Sequence, residues 1–243
     1  MAVRLDLEYD GRNFAGWARQ PGARSVQASV ELALAQILGW EVELTVAGRT
    51  DRGVHASGQV ASYEGQLVRA QALNALLPPD VAILRAAEAP AGFDARRDAL
   101  ARSYRYRVLH RRERSALEGG RALWWPHRLD EGLLHDCAGL LAGTHDFTAF
   151  TPTETYHVRF DRCVYEAAWR RDGDVLAFEI EADTFMRHMN RVLVGTMLQV
   201  AGGRRTLASF AALLAGAHRR EGGPTAPAHG LCLTAVRYAP LAV

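Results

Sequence analysis

The stretch AVRLDLEYD, residues 2–10, alternates apolar and charged side chains and predicts a half-buried β-strand at the start of the chain. Ser25 is a suitable N-cap for a following helix, whose apolar stripe runs to Leu38 and ends at Gly39. Further along, the sequence predicts two strands around a glycine-bounded loop, then a second helix and a fourth strand: Val42–Ala47, Gln59–Tyr63, Leu67–Leu77 and Val81–Ala87. The predicted order is therefore β-α-β-β-α-β.

The second half of the chain repeats this order. Its predicted elements are strand Arg102–His110, helix Asp130–Ala142, strands Arg159–Arg170 and Val175–Asp183, helix Phe185–Ala201, a short helix Leu207–Ala215 and strand Leu231–Tyr238. We therefore predict an α+β fold of two tandem ferredoxin-like, RRM-like units, whose helices pack on one side of a largely antiparallel sheet. The predicted domains are residues 1–100 and 101–243.

Composition excludes several classes of protein. The chain has 243 residues, of which 49% are apolar and 23% charged, so it is folded rather than disordered. Its three cysteines are far apart, which argues against a disulfide framework or a zinc site. We find neither a stretch long enough to cross a membrane nor a signal peptide, and we expect a cytoplasmic protein with no membrane association.

The basic residues are all arginine, 29 in number, although the net charge is only +2. Ten of them lie between Arg96 and Arg128 with three acidic residues, which gives this segment a charge of +7. A GC-rich genome explains the lack of lysine, and a solvated face is the ordinary explanation of a charge run. Interleaved aromatic residues are typical of a nucleic-acid surface, and both interpretations of the charge run stay open. The candidate RNA-binding residues are Arg105, Arg107, Arg111, Arg112 and Arg114.

One loop stands out chemically: AGRTDRGVHA, residues 47–56, places the carboxylate of Asp51 between Arg49 and Arg52, with glycines on both sides. Glycines let such a loop approach a ligand closely. The same residues also fit an ordinary turn, in which Asp51 caps its own backbone and the arginines are solvated. The loop has neither a second carboxylate for hydrolysis nor a phosphate-binding Gly-Lys-Ser pattern.

This loop resembles the signature of the TruA-type tRNA pseudouridine synthases. Further similarities run in order along nearly the whole chain: Glu8-Tyr9-Asp10-Gly11, Phe14-Ala15-Gly16-Trp17, Ser25-Val26-Gln27, Phe93-Asp94-Ala95-Arg96, Arg102-Ser103-Tyr104-Arg105-Tyr106, His145-Asp146-Phe147, Phe185-Met186-Arg187-His188-Met189-Asn190-Arg191, Val194-Gly195 and Gly230-Leu231. The sequence departs from the family pattern at Arg52, where alanine is common, and at Asn190, where an apolar residue is common.

The resemblance implies that uridine is isomerised to pseudouridine, with Asp51 as the catalytic nucleophile and no metal or cofactor. It implies that Tyr104 stacks on the target base and assists removal of the C5 proton, and that Arg191 keeps Asp51 ionised. Arg49 is expected to fill the gap left by a flipped uridine, and Arg52 to contact phosphate. His55 is expected to be structural.

The substrate implied by the resemblance is the anticodon stem-loop of tRNA, at positions 38 to 40, and the implied assembly is a homodimer. Two alternatives stay open from the sequence. One is a non-catalytic RNA-binding module of tandem RRM-like units, although the usual Lys/Arg-Gly-Phe aromatic run is missing. The other is a pseudouridine synthase that acts on another RNA.

Overall fold

The computed structural model describes residues 1–155 and 157–239 and divides the chain into two compact units. The first unit comprises Met1–Arg102 and the C-terminal residues from Cys232 onward, and the second comprises Ser103–Leu231. The residues from Cys232 onward therefore group with the first unit, and residues 101–243 as one domain stay a prediction. Residues 240–243 of that predicted domain lie outside the described residues.

The first unit is built around a strand that pairs on both sides. Its elements, numbered in chain order, are β1 (Ala2–Tyr9), α1 (Val26–Leu38), β2 (Thr45–Val46), β3 (His55–Glu64), α2 (Ala70–Asn74), β4 (Val81–Glu88) and the C-terminal β10 (Leu231–Tyr238). Strand β1 pairs antiparallel with β3 and β4, and β3 also pairs antiparallel with β2 and parallel with β10. Val3, Leu5 and Leu7 of β1 are fully buried, as the alternation predicted.

The second unit is a sheet with three α-helices. Its elements are β5 (Ala99–Leu109, whose first residues belong to the first unit), β6 (Leu123–Trp124), α3 (Glu131–Gly139), β7 (Gly143–Asp146), β8 (Asp161–Asp172), β9 (Val175–Ala182), α4 (Met189–Ala201) and α5 (Leu207–Leu213). The strand order is β5-β9-β8-β7, with β6 parallel to β5. The short strands β6 and β7 were not predicted from the sequence.

The α+β class with mostly antiparallel pairing is confirmed by these elements. The finer architecture, tandem ferredoxin-like units with helices on one side, stays a prediction. Among the described residues, no helix combines the length and the apolar character needed to span a membrane.

We call residues 47–56 the signature loop. The two strands on either side of it differ from their predicted lengths. The expected strand Val42–Ala47 is reduced to Thr45–Val46, because the backbone N–H of Leu44 donates to Oε1 of Glu31, 3.0 Å away on α1. The following strand begins at His55 instead of Gln59, so the loop is shorter than the predicted Gly48–Gly58. Gly58 is a strand residue: a Cβ there would stand 2.1 Å from the carbonyl oxygen of Thr234, so glycine permits the close approach of β10.

Two helices begin later than predicted. The helix expected at Leu67–Leu77 covers only Ala70–Asn74, and the side chain of Asn74 bonds both backbone groups of Ile83, at 2.8 and 2.9 Å. The helix expected from Phe185 begins at Met189, because His188 has a left-handed backbone with φ of 63° that a right-handed helix cannot continue through. Phe185 therefore lies in the connection that precedes α4.

Candidate functional site

The signature loop is folded back onto the segment that follows β1. The backbone N–H of Trp17 donates to the carbonyl of Thr50 at 3.0 Å, and Gly16 forms an isolated antiparallel bridge with Asp51. On the other side, the N–H of Val54 donates to the carbonyl of Asp51 at 3.1 Å. The backbone of Asp51 is therefore held on both sides, while its side chain remains partly exposed.

Two glycines make this approach possible. Gly16 has φ of +116°, and a Cβ on it would lie 2.8 Å from the carbonyl oxygen of Thr50. A Cβ on Gly11 would lie only 1.9 Å from the carbonyl oxygen of Val54. Any larger residue at either position would push the backbone of the loop away. Both glycines belong to stretches that resemble the family, and this close approach is the physical reason for glycine at these positions.

A buried hydrogen-bond network fixes the first half of the loop. The hydroxyls of Tyr9 and Thr50 share a hydrogen bond of 2.8 Å. Nε2 of Gln59 donates both to the Tyr9 hydroxyl, at 3.1 Å, and to the carbonyl of Gly48, at 2.8 Å. Burial raises the pKa of the Tyr9 phenol, so it keeps its proton. The network therefore holds the residues on both sides of Arg49.

Arg102 has a structural role that its charge did not reveal. Its side chain is buried, and Nε and a terminal nitrogen both donate to the carbonyl of Ala47, at 3.0 and 2.8 Å. The same terminal nitrogen donates to the carbonyl of Arg96 at 2.8 Å. Arg102 therefore anchors the start of the loop. Its charge is buried, unlike most of the arginines between Arg96 and Arg128, which we call the basic run.

His55, at the end of the loop, is also buried. Its Nδ1 accepts a hydrogen bond of 3.1 Å from the backbone N–H of Gly11, and Oδ1 of Asp10 lies 3.3 Å from the same nitrogen. These contacts join the end of the loop to the turn after β1. They agree with the structural role predicted for His55.

The arginines on either side of Asp51 are available to a ligand. Arg49 and Arg52 are both exposed, and neither guanidinium makes a hydrogen bond or ion pair with another of the described residues. Both guanidinium groups are therefore available to a ligand, while the gap-filling role of Arg49 and the phosphate contact of Arg52 stay predictions.

Tyr104 and Tyr106, two residues apart on β5, have different surroundings. The hydroxyl of Tyr106, which is fully buried, donates to the carbonyl of Pro227 at 2.8 Å, and burial raises the pKa of this phenol. The Tyr104 ring is 8% exposed and meets Phe185 edge to face, with 5.0 Å between the ring centroids. Tyr106 is thus a core residue, and Phe185 fixes the orientation of the Tyr104 ring.

Arg191 lies in the first turn of α4, and the backbone of a neighbouring segment fixes its side chain. Its Nε donates to the carbonyl of Ala226 at 2.7 Å, and the N–H of Ala226 donates back to the carbonyl of Arg191 at 3.0 Å. The adjacent Asn190 is 4% exposed, and its Oδ1 accepts no hydrogen bond from the described residues. The departure noted in the sequence therefore places a polar amide in a buried position.

The basic run carries less free charge than the sequence indicated. Arg105 pairs with Glu179 at 2.6 Å, Arg107 with Glu118 at 2.6 Å, and Arg111 with Asp174 at 3.0 Å. By contrast, Arg112 and Arg114 are exposed, and their guanidinium groups make no hydrogen bond or ion pair with the described residues. Of the five predicted RNA-binding arginines, these two are the most available to a phosphate.

Comparison with known proteins gives similarities along nearly the entire chain. A family model described as tRNA pseudouridine synthase matches residues 137–239, which include Arg191. Proteins named tRNA pseudouridine synthase A are similar as well. The one from Myxococcus xanthus is 41% identical over 97% of this chain and 91% of its own length. The one from Mesorhizobium japonicum is 43% identical over 97% of this chain and 98% of its own. A third, from Geobacillus kaustophilus, is 39% identical over 97% of this chain and 94% of its own length.

Proposed function

The chain belongs to the tRNA pseudouridine synthase A family, and from this premise we propose that Asp51 is the nucleophile of the reaction. The protein is an isomerase that converts uridine to pseudouridine in tRNA. The N1–C1′ glycosidic bond breaks, the uracil turns, and a C5–C1′ bond forms. The C5 proton is lost and N1 gains a proton, so nothing is oxidised or hydrolysed.

A carboxylate suits this task because a covalent adduct keeps the detached base or sugar in place and divides a difficult step into two. The observation that carries the proposal is the geometry of Asp51, whose backbone is held by Gly16 and Val54 while its side chain stays partly exposed. A nucleophile must be held in this way, because small displacements of a reacting group are costly in rate.

Tyr104 and Arg191 complete the proposed catalytic set. We propose that Tyr104 stacks on the target uracil and assists removal of the C5 proton; its edge-to-face contact with Phe185 supports a fixed ring. Arg191 supplies the guanidinium that keeps the nucleophile ionised. The paired bonds between Arg191 and Ala226 support this role, since they fix the direction of the side chain at the start of α4.

The proposed substrate is the anticodon stem-loop, at positions 38 to 40. A stacked uridine cannot reach a carboxylate, so it must be flipped out at a cost of a few kcal/mol. Arg49 fills the vacated space, and Arg52, Arg112 and Arg114 contact phosphates, in keeping with their exposed guanidinium groups. We further propose that the enzyme acts in the cytoplasm and that it is a homodimer. Light scattering of the purified protein tests the homodimer.

Family membership decides against the non-catalytic RNA-binding module, because the full-length relatives are named as enzymes. The names of those relatives also favour tRNA over another RNA as substrate. No other observation favours a second activity.

Asp51→Asn tests the proposal. The amide keeps the size of the carboxylate but is a very poor nucleophile, so pseudouridine formation on unmodified tRNA should vanish while tRNA affinity stays within a few-fold. Asp172→Asn is the matched control, since Asp172 is an exposed carboxylate in a hairpin. Mapping the product along the tRNA locates the modified positions. Activity of Asp51→Asn close to that of the control would refute the nucleophile, and product only outside positions 38 to 40 would refute the proposed target.

A further inference from the structure

The second unit contains a cavity of about 730 Å³ beside β6. Its walls include Leu109 at the end of β5, Ala122, Leu123 and Trp124 around β6, Arg114 in the preceding loop, and His229. The volume lies within the usual range for small-molecule sites, roughly 300 to 1,000 Å³. None of these residues belongs to the proposed catalytic set.

One of the residues that line the cavity is an exposed tryptophan. The Trp124 side chain is 40% exposed, although tryptophan is usually well covered in a folded protein. Its Nε1 donates to the carbonyl of Arg111 at 3.2 Å, which fixes the orientation of the indole. A flat ring that is exposed and already oriented is a suitable stacking platform for another planar group, because little side-chain entropy is lost on contact.

The charge around the cavity favours an anionic ligand. Its one acidic lining residue, Glu118, accepts two hydrogen bonds from Arg107, at 2.6 and 2.9 Å, and is therefore neutralised. Arg114 also lines the cavity, and its guanidinium makes no hydrogen bond or ion pair with the described residues. Among the described residues, the lining thus combines apolar side chains, an exposed indole and an arginine that has no hydrogen bond or ion pair.

We propose that this cavity binds one nucleotide of the tRNA other than the target uridine, with its base stacked on Trp124 and its phosphate on Arg114. The inference rests on the proposed function, which supplies the RNA. A planar apolar base and an adjoining phosphate match the two features of the cavity, and stacking of this kind tolerates any base because every base has a π face. The contact therefore adds affinity without selecting sequence.

The test compares Trp124→Ala with Trp124→Phe. Loss of one base stack should raise the Kd and KM for tRNA by about tenfold, within a range of about five- to a hundredfold, whereas phenylalanine should recover most of the affinity. Trp40→Ala is the matched control, because Trp40 is an exposed tryptophan, 51% accessible, in the first unit. Arg114→Gln should also weaken binding and lower the magnitude of the salt slope by roughly 0.7 to 0.9.

The measurements distinguish failure of the proposed nucleotide site from failure of the proposed enzymatic function. If the wild-type enzyme forms pseudouridine and Trp124→Ala binds tRNA as tightly as Trp40→Ala, the nucleotide site is wrong and the enzyme assignment stands. Trp124→Ala could instead change the molecular mass measured by light scattering. If the variant and the wild type then bind tRNA with the same Kd when compared in the same oligomeric state, the cavity is an interface between copies and the proposal fails. Recovery of affinity by Trp124→Phe, but not by Trp124→Leu, supports stacking over simple apolar contact.

Discussion

Replacement of Tyr9 by phenylalanine isolates the hydrogen-bond network beneath the signature loop. The substitution keeps the buried ring and removes only the hydroxyl, which bonds Thr50 and Gln59. Gln59 retains a partner, since the same nitrogen donates to the carbonyl of Gly48 at 2.8 Å. Thr50 is 7% exposed, and its hydroxyl loses its hydrogen-bond partner. One buried polar group is therefore left unsatisfied.

The expected loss of folding stability follows from this one unsatisfied hydroxyl. Leaving one buried hydroxyl unsatisfied costs about 1–3 kcal/mol. For a chain of this size each kcal/mol lowers Tm by roughly 2–4 °C, so Tm should fall by roughly 2–12 °C. The residue that loses its bond directly precedes Asp51. A displacement of the proposed nucleophile by about 1 Å can cost on the order of a hundredfold in rate, so kcat should fall well beyond the effect of the lost stability.

The assay is pseudouridine formation under single-turnover conditions, together with thermal unfolding and tRNA binding. Tyr63→Phe is the matched control, because its hydroxyl also makes a hydrogen bond of 2.8 Å, to the carbonyl of Gln66, in the same unit. Tyr9→Phe should lower the rate by at least tenfold relative to this control, with tRNA affinity nearly unchanged. A rate equal to that of Tyr63→Phe, at a temperature where both variants are folded, would refute the role of the network.

Two further predictions concern the proposed catalytic tyrosine and the basic run. Tyr104→Phe keeps the ring that packs on Phe185 and should lower turnover by about a hundredfold or more if the hydroxyl assists proton transfer; an unchanged single-turnover rate would restrict Tyr104 to stacking. Replacing Arg111, Arg112 and Arg114 together by glutamine should flatten the dependence of log K on log salt by up to about two units. Because Arg111 pairs with Asp174, the double variant that keeps Arg111 should show most of this change. A slope equal to that of the wild type in both variants would identify the run as a solvated face.

Local sequence determined the elements whose signals lie within a few residues. The alternation in β1 predicted the buried face, and the ends of α1 were predicted by Ser25, whose side chain accepts from the N–H of Ala28, and by Gly39, whose φ is 82°. Strands β8 and β9 were also predicted close to their observed bounds. The loop at residues 47–56 was singled out from ten consecutive residues, whereas the role of Asp51 came from the family resemblance and stays a proposal.

Tertiary structure alone decided the features that join distant residues. β10 pairs with β3 across more than half of the chain, Glu31 shortens β2, and Arg105 pairs with Glu179 instead of standing free. The partners of the loop, Tyr9, Gln59 and Arg102, could not be identified from local patterns, since a buried hydroxyl, amide or guanidinium has no periodic signal of its own. The physical reason is that pattern and propensity report the environment of one segment, whereas hydrogen bonds and ion pairs between segments depend on which segments the whole fold brings together.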